Sequence, residues 1–262
     1  MFKDERYGIS DLGYLEDIDK ITAKGLYEHY MEIMKTSPID IVVEGNFDEE
    51  EIVKIISDGF NFHRENIIEI PRADFNKRVE EVKVIKEDMY ITQGKLVMGF
   101  RCNIDYKDEH KYYSLFVGSN VLGGGPHSKL FVNVREKESL CYYIYSSLEK
   151  YKTSMFIASG IENVNYDKTV KLIKEQLEYL KGGQISEEEL LNSKSALISS
   201  LKTIKDSIGG ASDFYFSQSM GQTNTTVEKI IEIIDKITVE DIVDAFKNTQ
   251  LDTIYFLSNN KE

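Results

Sequence analysis

The sequence predicts an α+β protein made of the tail of one domain and a complete second domain, each a sheet with helices on one face. Three observations predict it. Strand-like runs fall at 39–43, 81–89, 95–104, 140–148, 154–161 and 251–257. Amphipathic helical stretches separate them, with apolar residues at helical spacing. Finally, Asp19-Lys20-Ile21-Thr22 recurs as Asp235-Lys236-Ile237-Thr238. An amphipathic helix and a β-rich run follow each copy, IDIVVEGN in one and DTIYFLSNN in the other. The copies lie about one domain length apart. Residues 1–70 therefore read as the C-terminal tail of a truncated first domain plus linker, and 71–262 as a complete second domain. On this reading Met1 is a boundary within a longer protein.

The elements follow in order. Residues 14–36 read as a helix carrying Leu26, Tyr30, Ile33 and Met34, although Gly25 costs it about 1 kcal/mol relative to Ala. Pro38 stops it, and Ile39–Val43 is a short strand. Asp48, with Glu51 three residues on, caps a helix through Ile56. Residues 61–79 are a linker of mixed charge containing Pro71. The strands 81–89 and 95–104 are expected to pair as a hairpin around Gly94, without one of the strongest turn types. His110–Leu122 is a helix entering a glycine loop. Strands at 140–148 and 154–161 precede a helix over 165–180, which Gly182-Gly183 ends. Ser186 and Glu189 form a capping box for a helix whose buried stripe is Leu190, Leu197, Leu201 and Ile204. Residues 207–234 are helical with a break near Gly209-Gly210. Thr238 caps a helix to Lys247, and 251–257 is the final strand.

Composition narrows the function. The 262 residues are 41% hydrophobic and 29% charged, as in ordinary soluble domains. A formal net charge of −13 argues against unaided nucleic-acid binding, which needs basic patches for phosphates. It permits a basic peptide substrate, but reads first as a solvated acidic surface. No apolar run is long enough to span a membrane. The start, MFKDERYGIS, lacks the apolar core of a signal peptide. Cys102 and Cys141 form no CxxC motif and fall in strand-like runs, so buried reduced thiols and a cytoplasmic location are expected.

The most informative stretch is 120–147, NVLGGGPHSKLFVNVREKESLCYYIYSS. It contains the only glycine triplet, Gly123-Gly124-Gly125. Glycines let another backbone approach closely or permit positive φ. A short helical stretch follows, with Leu130, Phe131 and Val134 on one side and Arg135 at its end. Tyr142 opens the next strand. Arginine and tyrosine on adjacent elements can both donate to one carbonyl or carboxylate, which makes this a polypeptide-binding corner. On spacing alone, Arg135 reads first as a surface ion-pair residue, and Tyr142 can be ordinary strand packing. Strict strand alternation sets Tyr142 and Tyr143 on opposite faces, so only one of them can share the Arg135 site.

The pattern Leu122-Gly123-Gly124, Ser128-Lys129-Leu130-Phe131, Val134-Arg135-Glu136-Lys137 and Leu140-Cys141-Tyr142 resembles the C-terminal domain of the pitrilysin/insulinase-type zinc metallopeptidases. The mitochondrial processing peptidase-like bacterial members look closest. The resemblance implies tandem, mostly antiparallel α+β domains. It also implies a substrate-contacting role for the Arg/Tyr pair, here Arg135 and Tyr142, beside the clearance of the glycine loop. The chain departs from the family in three places. Pro126-His127 stands in the loop, Lys129 replaces a common Arg, and Ser139 replaces a usual Gly.

The family's catalytic signature, H-x-x-E-H, is missing. His29-Tyr30-Met31-Glu32 continues with Ile33, and no two of His29, His63, His110 and His127 have ligand spacing. No catalytic residue and no metal ligand is therefore assigned here. The resemblance implies zinc only in a missing N-terminal domain or a partner subunit. Other chemistries are weaker still. His127 and Ser128 are adjacent but lack an orienting acid. The glycine triplet is neither a P-loop nor a dinucleotide fingerprint. Glu187-Glu188-Glu189 suits a helix N-terminus. The expected function is the substrate-binding, non-catalytic half of a zinc metallopeptidase-like protein. Its expected partners are a peptide or unfolded protein segment and a zinc-bearing domain or subunit, with no nucleic acid and no membrane. The competing expectation is a scaffold or interaction subunit without a proteolytic role.

Overall fold

A computed structural model describes residues 1–259. In chain order its main elements are α1 (Leu15–Ile18), α2 (Ala23–Thr36), α3 (Glu49–Gly59), β1 (Lys83–Met89), β2 (Gly94–Arg101), α4 (Glu109–Gly123), β3 (Cys141–Glu149), β4 (Ser154–Ile161), α5 (Tyr166–Lys181), α6 (Glu187–Thr203), α7 (Ile208–Gly221), α8 (Val227–Lys236), α9 (Val239–Phe246) and β5 (Gln250–Asn259). They form two compact units. The larger comprises Met1, Ala73–Thr203 and the chain from Asn224 onward; the smaller comprises Phe2–Arg72 and Ile204–Thr223. The first break falls between Arg72 and Ala73. Residues 204–223, including α7, cluster with the smaller unit.

The larger unit is a two-layer α+β domain. Its sheet has the order β1-β5-β2-β4-β3. Among the described strands only the β1–β5 pairing is parallel. One face of the sheet supplies Leu96, Met98, Phe100, Met155, Ile157, Ile161, Ile254 and Phe256 to the core. Helices α4, α5, α8 and α9 add Leu115, Leu122, Ile173, Leu180, Ile234, Ile242 and Phe246 to that core. Each such side chain stabilises the fold by about 1.5–3 kcal/mol. A buried ion pair ties β2 to β5, with Arg101 Nε 2.6 Å from Asp252 Oδ2.

The hairpin expected for 81–104 does not form. β5 lies between β1 and β2 and pairs with both. The connection at 90–93 carries no tight-turn dipeptide, so nothing local holds the two strands together. The partner that separates them comes from the other end of the chain.

In the smaller unit, Thr22 accepts from Gly25 N at 3.1 Å and Asp48 from Glu51 N at 3.0 Å, capping α2 and α3. Neither helix contains a buried residue. The strand expected at Ile39–Val43 is also not formed. A strand needs a neighbour to satisfy its backbone, and none of the five described strands pairs with this segment. The break expected at Gly209-Gly210 lies further on. Ser207 Oγ accepts from Gly210 N at 3.2 Å, so both glycines sit in the first turn of α7. The helix ends instead at Gln222, in the left-handed region with φ 51°. The repeated tetrapeptide has the same local role in each unit. Thr238 caps α9 through a box with Asp241, as Thr22 caps α2.

Candidate functional site

The corner begins at the end of α4. A Cβ on Gly123 would lie 2.5 Å from the backbone nitrogen of Ser146, so this glycine lets α4 pack directly on β3. Ser146 Oγ donates to Ser119 O at 2.6 Å across the same contact. Gly124 N closes the helix on Asn120 O at 2.8 Å. Gly125 is more open, with His127 as its nearest neighbour at 3.4 Å. Clearance in the triplet therefore differs by position, and at Gly123 β3 fills it.

The loop that follows is well braced. His127 Nε2 lies 3.2 Å from Asn120 Oδ1 and 3.1 Å from Ser193 Oγ, joining α4 to α6. Lys129 Nζ is buried and donates to both carboxylate oxygens of Glu189 at 2.9 Å. Glu189 Oε2 also accepts from Ser186 N at 2.8 Å, completing the expected capping box. A shallow groove of about 400 Å³ lies beside this brace, lined by residues including His127, Asn133, Lys137 and Glu188.

Residues Phe131–Glu136 make one turn of π-helix, with Lys137 N bonded to Val132 O at 3.1 Å. Such turns recur at functional sites. Leu130 and Val134 are fully buried. Arg135 is 36% exposed, with its guanidinium 4.5 Å from the centroid of the Phe131 ring. Its Nε is 4.0 Å from Glu136, an exposed contact of little net energy. Ser139 then reverses the chain with φ 52°, and its N–H donates to Arg135 O at 3.0 Å. A left-handed backbone of this kind is the conformation that glycine adopts at no steric cost.

β3 starts with a bulge. Cys141 pairs with Ile161 and Tyr143 with Gly160, so Tyr142 is the extra residue. Strict alternation does not carry across a bulge, and packing decides between the tyrosines instead. Tyr143 lies over Gly160, where an added Cβ would be 2.6 Å from the ring. It stacks on Tyr145 with 6.1 Å between ring centroids. Tyr142 is 76% exposed. Arg135 is close enough to Cys141 to act on its thiol. Burial pushes that thiol up, while a hydrogen bond with Ser159 and the Arg135 charge partly counter it. Arg135 and Tyr142 thus sit at the same end of β3, both reachable by solvent, and among the described residues no hydrogen bond joins them.

The histidines do not form a zinc site. His29 is exposed on α2, and His63 lies 3.4 Å from Glu65. His110 lies 2.9 Å from Asp241, and His127 is held as described. Among the described residues no three His, Cys, Asp or Glu side chains are grouped to hold a metal. Cys102 is buried and its thiol is pushed up to about 12, the state of an inert core cysteine. No helix among the described residues is long and apolar enough to cross a membrane.

Three features of this corner were not read from the sequence. The Phe131 shelf under Arg135 is recoverable from its i, i+4 spacing. The second role of Glu189, as partner to Lys129, and the Tyr143–Gly160 contact depend on tertiary pairing that no local signal announces.

Fold and site together define a two-layer α+β domain without a metal-ligand cluster among its described residues. A model of the peptidase M16 inactive domain matches residues 20–197, and the chain belongs to that family. It is 35% identical over 257 residues to the probable inactive metalloprotease YmfF of Bacillus subtilis, covering 98% of this chain and 60% of that protein. A conserved protein from Enterococcus faecalis superposes with a TM-score of 0.86 at 30% identity, covering 97% of this chain and 60% of the other. The peptidase M16 inactive domain from Pseudomonas fluorescens superposes with a TM-score of 0.77 at 19% identity, covering 100% and 63%. The chain spans about three fifths of the length of YmfF and of the Enterococcus faecalis protein.

Proposed function

We propose that this chain is the substrate-holding, non-catalytic part of a metallopeptidase-like protein. Arg135 and Tyr142 anchor an extended peptide beside the edge of β3. Hydrolysis, where it occurs, belongs to a zinc-bearing domain or partner subunit outside this chain. In this reading residues 71–262 carry the binding function and 1–70 end a preceding domain. The unpaired thiols of Cys102 and Cys141 favour the cytoplasm.

The observation that carries the reading is the disposition of Arg135. An arginine that only decorated a surface would need no support. This one rests on an aromatic ring, half-shielded, at the end of the edge strand that opens with the exposed Tyr142. A supported guanidinium is pre-organised to donate to a carbonyl or carboxylate. An extended peptide brings such groups in line and satisfies the rest of its backbone on a strand edge.

Fluorescence anisotropy with a labelled unfolded peptide, run with metal analysis and a peptidase assay on the same chain, tests the proposal. Saturable peptide binding without turnover and without stoichiometric zinc is expected. One zinc per chain with chelator-sensitive turnover contradicts it.

A second reading, a scaffold subunit with no proteolytic role, is favoured by the inactive status that the name of YmfF gives to that relative. It predicts no saturable peptide binding in the same titration.

A further inference from the structure

The two open edges of the sheet are built differently. β1 reads Lys83-Val84-Ile85-Lys86-Glu87-Asp88-Met89, so two lysines and two acids guard one edge. β3 runs from Cys141 to Leu148 without a charge or a proline, and Glu149 is its first ionic residue. Soluble proteins blunt exposed edges with charge, proline or cover, because unpaired N–H and C=O groups template further strands. In a chain that is 29% charged, an uncharged edge of this length is unusual. β3 is paired with β4 along one side and ends the sheet on the other.

Its two side-chain faces also differ. Ile144 is buried and Ser146 is bonded to α4, so that face belongs to the core. Tyr143 and Tyr145 occupy the other face, opposite Gly160 and Ala158. These small partners leave the two rings room to lie against the sheet, stacked at 29° to each other. Tyr145 is 49% exposed.

Resting on the proposed function above, we propose that the edge of β3 receives the peptide as an added strand. The Tyr143–Tyr145 pair selects peptides with large apolar side chains two residues apart. An added strand places every second side chain on the tyrosine face, with opposed Cβ atoms about 4.5–5.5 Å apart. Two successive side chains on that face then meet two successive rings. Tyr142 opens the same strand, so a peptide anchored at the corner continues along this edge. The occupant is a peptide rather than a second β3, because two copies each carrying a net charge of −13 repel.

The test uses the full chain and three labelled peptides: alternating Thr and Phe, alternating Thr and Ser, and one with the same number of Phe placed three apart. The alternating Phe peptide is expected to bind about tenfold more tightly than the other two, the order of two aromatic cross-strand pairs. Tyr145→Ser removes that preference and Tyr145→Leu keeps most of it, with thermal melts confirming that both variants fold. Equal affinities, or a preference that survives Tyr145→Ser, overturn the inference. Arg135→Ala separates the two claims, since it weakens all three peptides alike if the corner anchors the backbone. If it changes nothing while Tyr145→Ser abolishes selection, the edge stands and the corner reading fails. A dimer in sedimentation that Tyr145→Lys dissolves and peptides do not displace makes the occupant a second copy and overturns the inference.

Discussion

The ring of Tyr143 lies across Gly160, so close that a Cβ on Gly160 would sit 2.6 Å from it. Tyr143 is thereby committed to the sheet, and Tyr142, displaced by the bulge, is left exposed at the corner. Tyr142→Phe should weaken peptide binding by several-fold and leave the thermal midpoint unchanged, since it deletes one exposed hydroxyl. Tyr143→Ala should lower stability by about 1–3 kcal/mol through lost packing, whatever it does to peptide selection. Melts and anisotropy on both variants check the division. A Tyr142→Phe protein that binds normally removes Tyr142 from the site.

The glycine triplet should respond position by position. Gly123→Ala drives a methyl into the Ser146 backbone and should cost about 3 kcal/mol in urea unfolding. Gly125→Ala meets only His127 at ordinary contact distance and should change stability little. Equal effects at the two positions would show that close packing of α4 on β3 is not what requires Gly123.

Ser139 holds a left-handed backbone that costs an ordinary residue about 1–2 kcal/mol. Ser139→Gly relieves that strain and should raise stability slightly, because the flexible glycine returns about 0.5–1 kcal/mol to the unfolded chain. Ser139→Val should destabilise, since β-branched residues tolerate positive φ worst. Urea midpoints of the three proteins give the order directly.

Asp252 makes the larger unit acid-sensitive. Burial raises its carboxyl pKa, but hydrogen bonds from Thr253 and Arg101 and the Arg101 charge outweigh this and hold it below the usual value of 3.8. A depressed carboxylate contributes stability that is present above its unfolded pKa. That stability is lost as pH falls through the folded one. Asp252→Asn should therefore cost about 3 kcal/mol at neutral pH by removing the carboxylate charge that pairs with buried Arg101. The variant should also lose part of the acid limb. Unfolding free energies from neutral pH down to the acid limb test both parts. A variant whose deficit is unchanged at low pH contradicts the linkage.

Much of the fold was legible because its signals are local. Asp48, Ser186 and Thr238 each announced a helix start, and each accepts the expected backbone N–H. The failures share a cause. The 81–104 hairpin was misread because β5, from the far end of the chain, intervenes. Ile39–Val43 had the composition of a strand but no described partner, and composition alone cannot satisfy a backbone. Gly209-Gly210 looked like a break until Ser207 capped the turn containing them. At the site, Arg135 and Tyr142 stood out through a family pattern. The bulge that separates Tyr142 from Tyr143 did not, because a one-residue insertion in a ladder leaves no mark in an apolar run.

The central claim is that Arg135 holds peptide. A charge-assisted hydrogen bond contributes about 1.5–3 kcal/mol when shielded, as the Phe131 shelf and half-burial arrange here. The direct measurement is the dissociation constant of a labelled extended peptide for the full chain and for Arg135→Ala, with the melting curve as a control on folding. The account predicts affinity weakened by roughly ten- to a hundredfold with the melt unchanged. An Arg135→Ala chain that binds as tightly as the parent contradicts it.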